Sequence, residues 1–138
     1  MRVLEGVVSS GMGIATNNLG GVIALLRKRT GIAALLAGTL NLRLASPYFV
    51  QPDSRLTKAE YWGVEEVLLQ RCRVAGFRCY IVRPESHERG KAHGPTGLEI
   101  ASDRHLRTVL GLQDGAVLGV EVEGDAAWWN AGVAPDPH

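Results

Sequence analysis

Four groups of side chains in this chain have types and spacings that could do chemistry. In Gly38-Thr39-Leu40-Asn41-Leu42-Arg43-Leu44, Thr39 and Asn41 are two residues apart. On a strand that period puts both on one face, with their oxygen atoms pointing the same way. Hard Mg²⁺ takes oxygen ligands and keeps waters while bridging phosphates. A hydroxyl and a carboxamide therefore suffice if a nucleotide supplies the negative charge. Solvent-facing polar alternation is the plainer source of the same pattern. Gly11-Met12-Gly13 follows an apolar run. Glycines there let backbone N–H groups approach phosphate oxygens, and a following helix would add its positive end. A tight turn is again the plainer explanation: a Walker-type P-loop is absent, and the GxGxxG spacing fails at Thr16.

Glu99 stands between Leu98 and Ile100, so on a strand it points away from its apolar neighbours. A pocket-facing carboxylate there would hydrogen-bond a substrate; the alternation by itself favours an exposed one. Arg104, His105 and Arg107 near a helix start could bind an anionic or polar ligand, with a solvated helix face as the default. The histidines make no metal set. His87 and His93 share a loop, His105 sits apart, and neither HxxxH nor HExxH occurs. A GxSxG elbow is also missing.

The elements that must position these groups are short. Arg2 to Ser9 reads as a strand running into the glycine-rich loop. Asn17 and Asn18 can cap a helix with apolar Leu19, Val22, Ile23, Leu25 and Leu26, basic Arg27, Lys28 and Arg29 in its last turn, and a stop at Gly31. Gly38 to Leu44 alternates strictly, which predicts a half-buried strand with Leu40, Leu42 and Leu44 inward. Val67–Val74, Ala75-Gly76 and Phe77–Val82 read as a hairpin with a two-residue turn. A helix over Thr57–Arg73 also satisfies the spacing. Pro84 to Gly97 is a long polar loop without apolar periodicity, hence a candidate functional loop. Leu98–Ala101 is a short strand, and Ser102 can cap a helix from Asp103 to Leu110 that ends at Gly111. Asp114-Gly115 is a turn, and Ala116–Glu123 a final strand.

The 138 residues carry 15 Lys+Arg against 14 Asp+Glu, a formal charge of +1, with 46% hydrophobic and 21% charged residues. That is a globular composition for one domain. Near-neutral charge argues against a protein held mainly by nucleic-acid phosphates or an anionic membrane. No apolar run approaches the roughly 20 residues of a membrane span. Cys72 and Cys79 flank the hairpin turn without CxxC spacing, and are expected as small apolar residues in a reducing cytoplasm. With 17 glycines spread between short apolar runs, the chain reads as mainly β with two or three short helices, most simply a small barrel over 1–124. The tail, 125–138, is expected to be loosely ordered or packed on the outside.

The candidate groups also fall into an ordered set of blocks. They are Gly6-Val7-Val8-Ser9-Ser10-Gly11-Met12-Gly13, Ala37-Gly38-Thr39-Leu40-Asn41-Leu42-Arg43-Leu44, Gly76-Phe77-Arg78-Cys79-Tyr80-Ile81-Val82-Arg83-Pro84-Glu85, Leu98-Glu99-Ile100-Ala101, and Leu106 to Gly115. In this order, from about residue 4 to residue 123, the chain resembles the CTP-dependent, archaeal-type riboflavin kinase family. The resemblance implies a compact six-stranded cradle-loop barrel that moves the γ-phosphoryl group of CTP to the 5′-hydroxyl of riboflavin, giving FMN and CDP. It implies that Thr39 and Asn41 bind Mg²⁺, and that Ser10, Gly11, Met12, Gly13, Ile14 and Ala15 form the nucleotide loop. Glu99 then contacts the flavin, and Arg104, His105, Leu106 and Arg107 form a second nucleotide-contacting segment. Glu99 is the best-motivated carboxylate for a base, although hydrogen bonding to the flavin explains it equally well. A cytoplasmic monomer acting on these small molecules, with no nucleic acid or membrane partner, is the expectation. The competing reading is a non-catalytic barrel that holds a flavin or nucleotide as sensor or carrier. A DNA-binding barrel is a third, disfavoured by the neutral charge.

Overall fold

In the computed structural model, which describes residues 1–10, 23–36, 39–61, 63–90 and 94–133, the strands are β1 (Arg2–Val8), β2 (Thr39–Leu44), β3 (Ser54–Leu56), β4 (Val67–Val74), β5 (Phe77–Pro84), β6 (Gly97–Ala101) and β7 (Val117–Val122). Short helices join or flank them: α1 (Ile23–Thr30), α2 (Lys58–Tyr61), α3 (Glu85–Glu88), α4 (Leu106–Val109) and α5 (Ala126–Asn130), with a 3₁₀ turn at Gly94–Thr96. The strands pair antiparallel in the order β3-β4-β5-β6-β2-β1-β7, and β4 also pairs with β7 through Arg73 and Val74. Six strands thereby close into a barrel, with β3 added beside β4.

The two-residue period of the strands sorts the side chains. Leu40, Leu42 and Leu44 turn inward to meet Leu98, Ile100, Ile81, Cys72, Cys79, Val74, Val120 and Val122 in one buried cluster. On β1, Gly6 takes an inward position where an added Cβ would lie 3.0 Å from Leu42 Cβ, so the close approach of β1 to β2 needs glycine. The opposite faces of β4, β5 and β6 are also buried. There Val67, Leu69, Tyr80, Val82 and Ala101 form a second cluster with Leu26 of α1, Ile32, Leu35, Leu56 and Trp129 of α5. Burial on both faces explains why Val67–Arg73 does not alternate and could be mistaken for a helix. Of the described residues in Thr57–Arg73, where a helix also satisfies the spacing, only Lys58–Tyr61 are helical.

The hairpin turn is built as expected, with Ala75 (φ 50°) and Gly76 (φ 83°) both left-handed. Helix α1 ends at Gly31, whose φ is 74° and whose N–H donates to the Arg27 carbonyl. Residues 17–22, where its start was expected, lie outside the described residues. Two expectations need correction. The helix expected over 103–110 is a single turn, Leu106–Val109, and Ser102 does not cap it: Ser102 Oγ accepts the Arg104 N–H at 3.3 Å instead. A serine bonding two residues ahead forms a local turn that competes with helix. The polar stretch after Pro84 holds α3 and the 3₁₀ turn. Glu88 of α3 pairs with Arg83 of β5, whose Nη1 lies 2.6 Å from Glu88 Oε2. Arg83 is 1% exposed and also donates to the Tyr48 and Gly97 carbonyls.

Asp125 caps α5 by accepting the Trp128 N–H, Trp129 is buried, and Val133 pairs with Phe77. Cys72 and Cys79 are register partners across the hairpin, both buried and both free thiols. No described helix is long and apolar enough to cross a membrane.

Candidate functional site

Strands β2 and β6 run side by side, with Asn41 opposite Glu99 and Thr39 opposite Ala101. Opposed residues on antiparallel strands share a face, and the leucines of both strands occupy the barrel interior. Thr39, Asn41 and Glu99 therefore gather on the outer face. Thr39 Oγ1 lies 3.5 Å from Glu99 Oε2, and Asn41 Nδ2 donates to the Thr39 carbonyl at 3.4 Å. Glu99 is 7% exposed, against the exposure its alternation favoured. Alternation reports which face a residue takes, not what rises over that face, and here Ser9, Ser10 and His87 wall the same cleft.

These residues line two separate clefts. One, about 70 Å³, is lined by Ser9, Ser10, Asn41, Arg43, His87 and Glu99 among others. The other, about 370 Å³, is lined by Thr39, Leu40, Ile100 and the run Arg104, His105, Leu106, Arg107 and Thr108. Only the second has the volume of an ordinary small-molecule site. Thr39 and Asn41 line one cleft each, and the Thr39–Glu99 contact joins them.

Each wall has a structural reason for its place. The Ser9 N–H donates to the Asn41 carbonyl at 3.1 Å, which holds the end of β1 against β2. Leu106 turns its side chain into the core and so anchors α4. Its neighbours Arg104 and Arg107 stay at the cleft. The Arg104 guanidinium sits 4.7 Å above the Phe77 ring, with Asp103 Oδ1 3.6 Å from its Nε. His105 is exposed, and its carbonyl accepts the Thr108 and Val109 N–H groups. Ser10 Oγ donates to Asp114 Oδ2 at 2.5 Å, and Arg107 Nη1 lies 2.8 Å from Asp114 Oδ1. These two donors hold the Asp114 carboxyl below its ordinary range, Ser10 contributing most. Gly11, Met12, Gly13, Ile14 and Ala15 lie outside the described residues.

The structure thus brings together Thr39, Asn41, Glu99, Ser10, Arg104 and Arg107. It adds Arg43 and His87, whose proximity no spacing in the chain foretold, and Asp114, which reads in sequence only as turn chemistry. Among the described residues no group of three His, Cys, Asp or Glu is placed to hold a metal. The donors at the junction are a hydroxyl, a carboxamide and one carboxylate, an all-oxygen set that suits a hard cation rather than a soft one.

A family model named CTP-dep_RFKase and described as a domain of unknown function, DUF120, matches residues 8–122. A riboflavin kinase of Staphylothermus marinus is 26% identical over 120 residues, covering 85% of this chain and 88% of that protein.

Proposed function

The chain belongs to the CTP-dependent riboflavin kinase family, and on that premise we propose that it transfers the γ-phosphoryl group of CTP to the 5′-hydroxyl of riboflavin, giving FMN and CDP. The observation that carries this reading is that Thr39, which lines one cleft, touches Glu99, which lines the other beside Asn41. Phosphoryl transfer asks a protein mainly for in-line positioning and stabilisation of charge spread over phosphate oxygens. A cleft for the donor and a smaller one beside it, linked by the Thr39–Glu99 contact, supply the positioning.

In this reading CTP occupies the larger cleft, with Arg104 and Arg107 facing its phosphates. The acceptor hydroxyl enters from the side of Asn41 and Glu99, and Glu99 accepts a hydrogen bond from the flavin substrate. Its near-complete burial strengthens that bond by excluding water. Thr39 and Asn41 would hold Mg²⁺, as an all-oxygen pair can when phosphates complete the shell. Bound there, the ion would offset the charge of the phosphate oxygens. A loose transition state demands little push from the nucleophile, so the site can work through position and charge without a strong base.

The test is to incubate the purified protein with riboflavin, Mg²⁺ and each of the four nucleoside triphosphates, separating products by chromatography. FMN and CDP should form with CTP and far more slowly with the other donors. No FMN with any donor removes riboflavin as the acceptor. Equal rates with ATP remove the preference for CTP.

A further inference from the structure

We propose that Asp114 is a positioning residue for the nucleotide: its one carboxylate fixes Ser10, which precedes Gly11 in the chain, and Arg107, on α4, at a set separation. Ser10 lines the cleft of Asn41 and Glu99, whereas Arg107 lines the cleft of Thr39. Asp114 reaches across to both, Oδ2 accepting from Ser10 Oγ at 2.5 Å and Oδ1 from Arg107 Nη1 at 2.8 Å. A carboxylate is the side chain that suits this place, because it is acceptor-only and has two oxygens.

The backbone holds the carboxylate where it can do this. Just after Asp114, the Gly115 N–H donates to the Val8 carbonyl, and the Val8 N–H donates to Ala116, both at 2.8 Å. Gly115 has φ 91°, a value that lets the turn close tightly against β1. On the other side the Leu112 N–H returns to the Arg107 carbonyl at 2.8 Å. Asp114 is therefore tied through main chain to both segments that its side chain bridges. Arg107 spends one nitrogen on Asp114, and the rest of its guanidinium remains for the cleft it lines.

An isolated ion pair this exposed would contribute little. The arrangement matters for binding because it orders two groups before the ligand arrives, so their ordering is not charged against affinity. This inference rests on the nucleotide reading of the larger cleft, and calorimetric titration with CDP can separate the two. Asp114→Ala should weaken CDP binding about tenfold, equivalent to about 1.4 kcal/mol. Asp114→Asn, which keeps one carbonyl oxygen, should lose less. The KM for CTP should rise in step while the KM for riboflavin stays within about twofold. A role limited to folding would instead lower the thermal midpoint and weaken both substrates together, and that result would overturn the proposal. Unchanged CDP affinity in Asp114→Ala would overturn it while leaving the kinase reading intact. Wild-type protein that binds no CDP would overturn both.

Discussion

Asn41 and Glu99 face each other across the β2–β6 pairing on the outer wall of the barrel, and Thr39 Oγ1 lies 3.5 Å from the same Glu99 carboxylate. Three oxygen-bearing side chains from two strands thus occupy one patch whose reverse side is packed leucine and isoleucine. A rigid strand pair is a more exact platform than a loop for aligning two substrates.

That placement predicts a clean separation of activity from stability. Asn41→Ala removes a carboxamide that lines a cleft and leaves Leu40 and Leu42 in the core. FMN formation should fall on the order of 100-fold, the scale of losing one charge-stabilising group, while the thermal midpoint moves by only a few degrees. Turnover like the wild type would show that this carboxamide serves no metal or phosphate.

Beneath the same cleft, Arg83 is the opposite case. Its guanidinium is fully buried, and Glu88 supplies the compensating charge at 2.6 Å while also accepting the Val50 N–H. Burial pulls the Arg83 pKa down, and Glu88 opposes that pull. Glu88→Ala would leave a cation buried without its partner, a change that costs about 3–5 kcal/mol. Denaturant unfolding should show the free energy of unfolding falling by that amount. A loss under 1 kcal/mol would mean that water reaches Arg83.

Much of this arrangement was legible in the chain, for reasons that differ by residue. β2 was plain because one face is core and the other is not, so Leu40, Leu42 and Leu44 alternate with Thr39, Asn41 and Arg43. The hairpin announced itself by Ala75-Gly76 between two apolar runs. β4 was ambiguous because both its faces are buried, which erases the period. The burial of Glu99 is not legible locally because Ser9 and Ser10, just after β1, and His87 of α3 wall its cleft, and none of them is encoded near residue 99. Ser102 misled because serine hydroxyls serve caps and local turns alike. The bridge from Ser10 to Asp114 spans 104 positions, a separation at which no local pattern operates.

The paired cysteines predict a pH response. Burial pushes the Cys79 thiol up to about 12 and raises Cys72 well above its ordinary value of 9.0. Below pH 9 both folded and unfolded thiols keep their protons, so no stability depends on them. Above it the unfolded chain releases protons that the folded chain retains, and stability must fall as pH rises from about 9 toward 12. A thiol reagent at pH 8 should accordingly modify neither cysteine until denaturant unfolds the barrel. Rapid labelling of the native protein would contradict their burial.

The segment beyond the family match supplies the last prediction. The match ends at residue 122, yet Trp129 seals the outer cluster, meeting the Tyr80 ring edge-on at 5.4 Å and the Arg78 guanidinium at 5.1 Å. Its Nε1–H donates to the Cys79 carbonyl at 3.1 Å. Trp129→Ala would open a cavity beside Tyr80 and leave that carbonyl without its indole donor. A large aromatic lost from such a place costs about 3–5 kcal/mol. Since Trp129 packs on the face of β5 opposite the barrel interior, and the Thr39–Asn41–Glu99 patch lies on β2 and β6, turnover of the folded fraction should hold. Circular dichroism melts should show the loss, and FMN formation at low temperature should stay near the wild-type rate per folded molecule. If the melt barely moves, the outer cluster is held by α1 and the Ile32–Leu35 turn alone, and the segment after Gly124 contributes nothing to the fold.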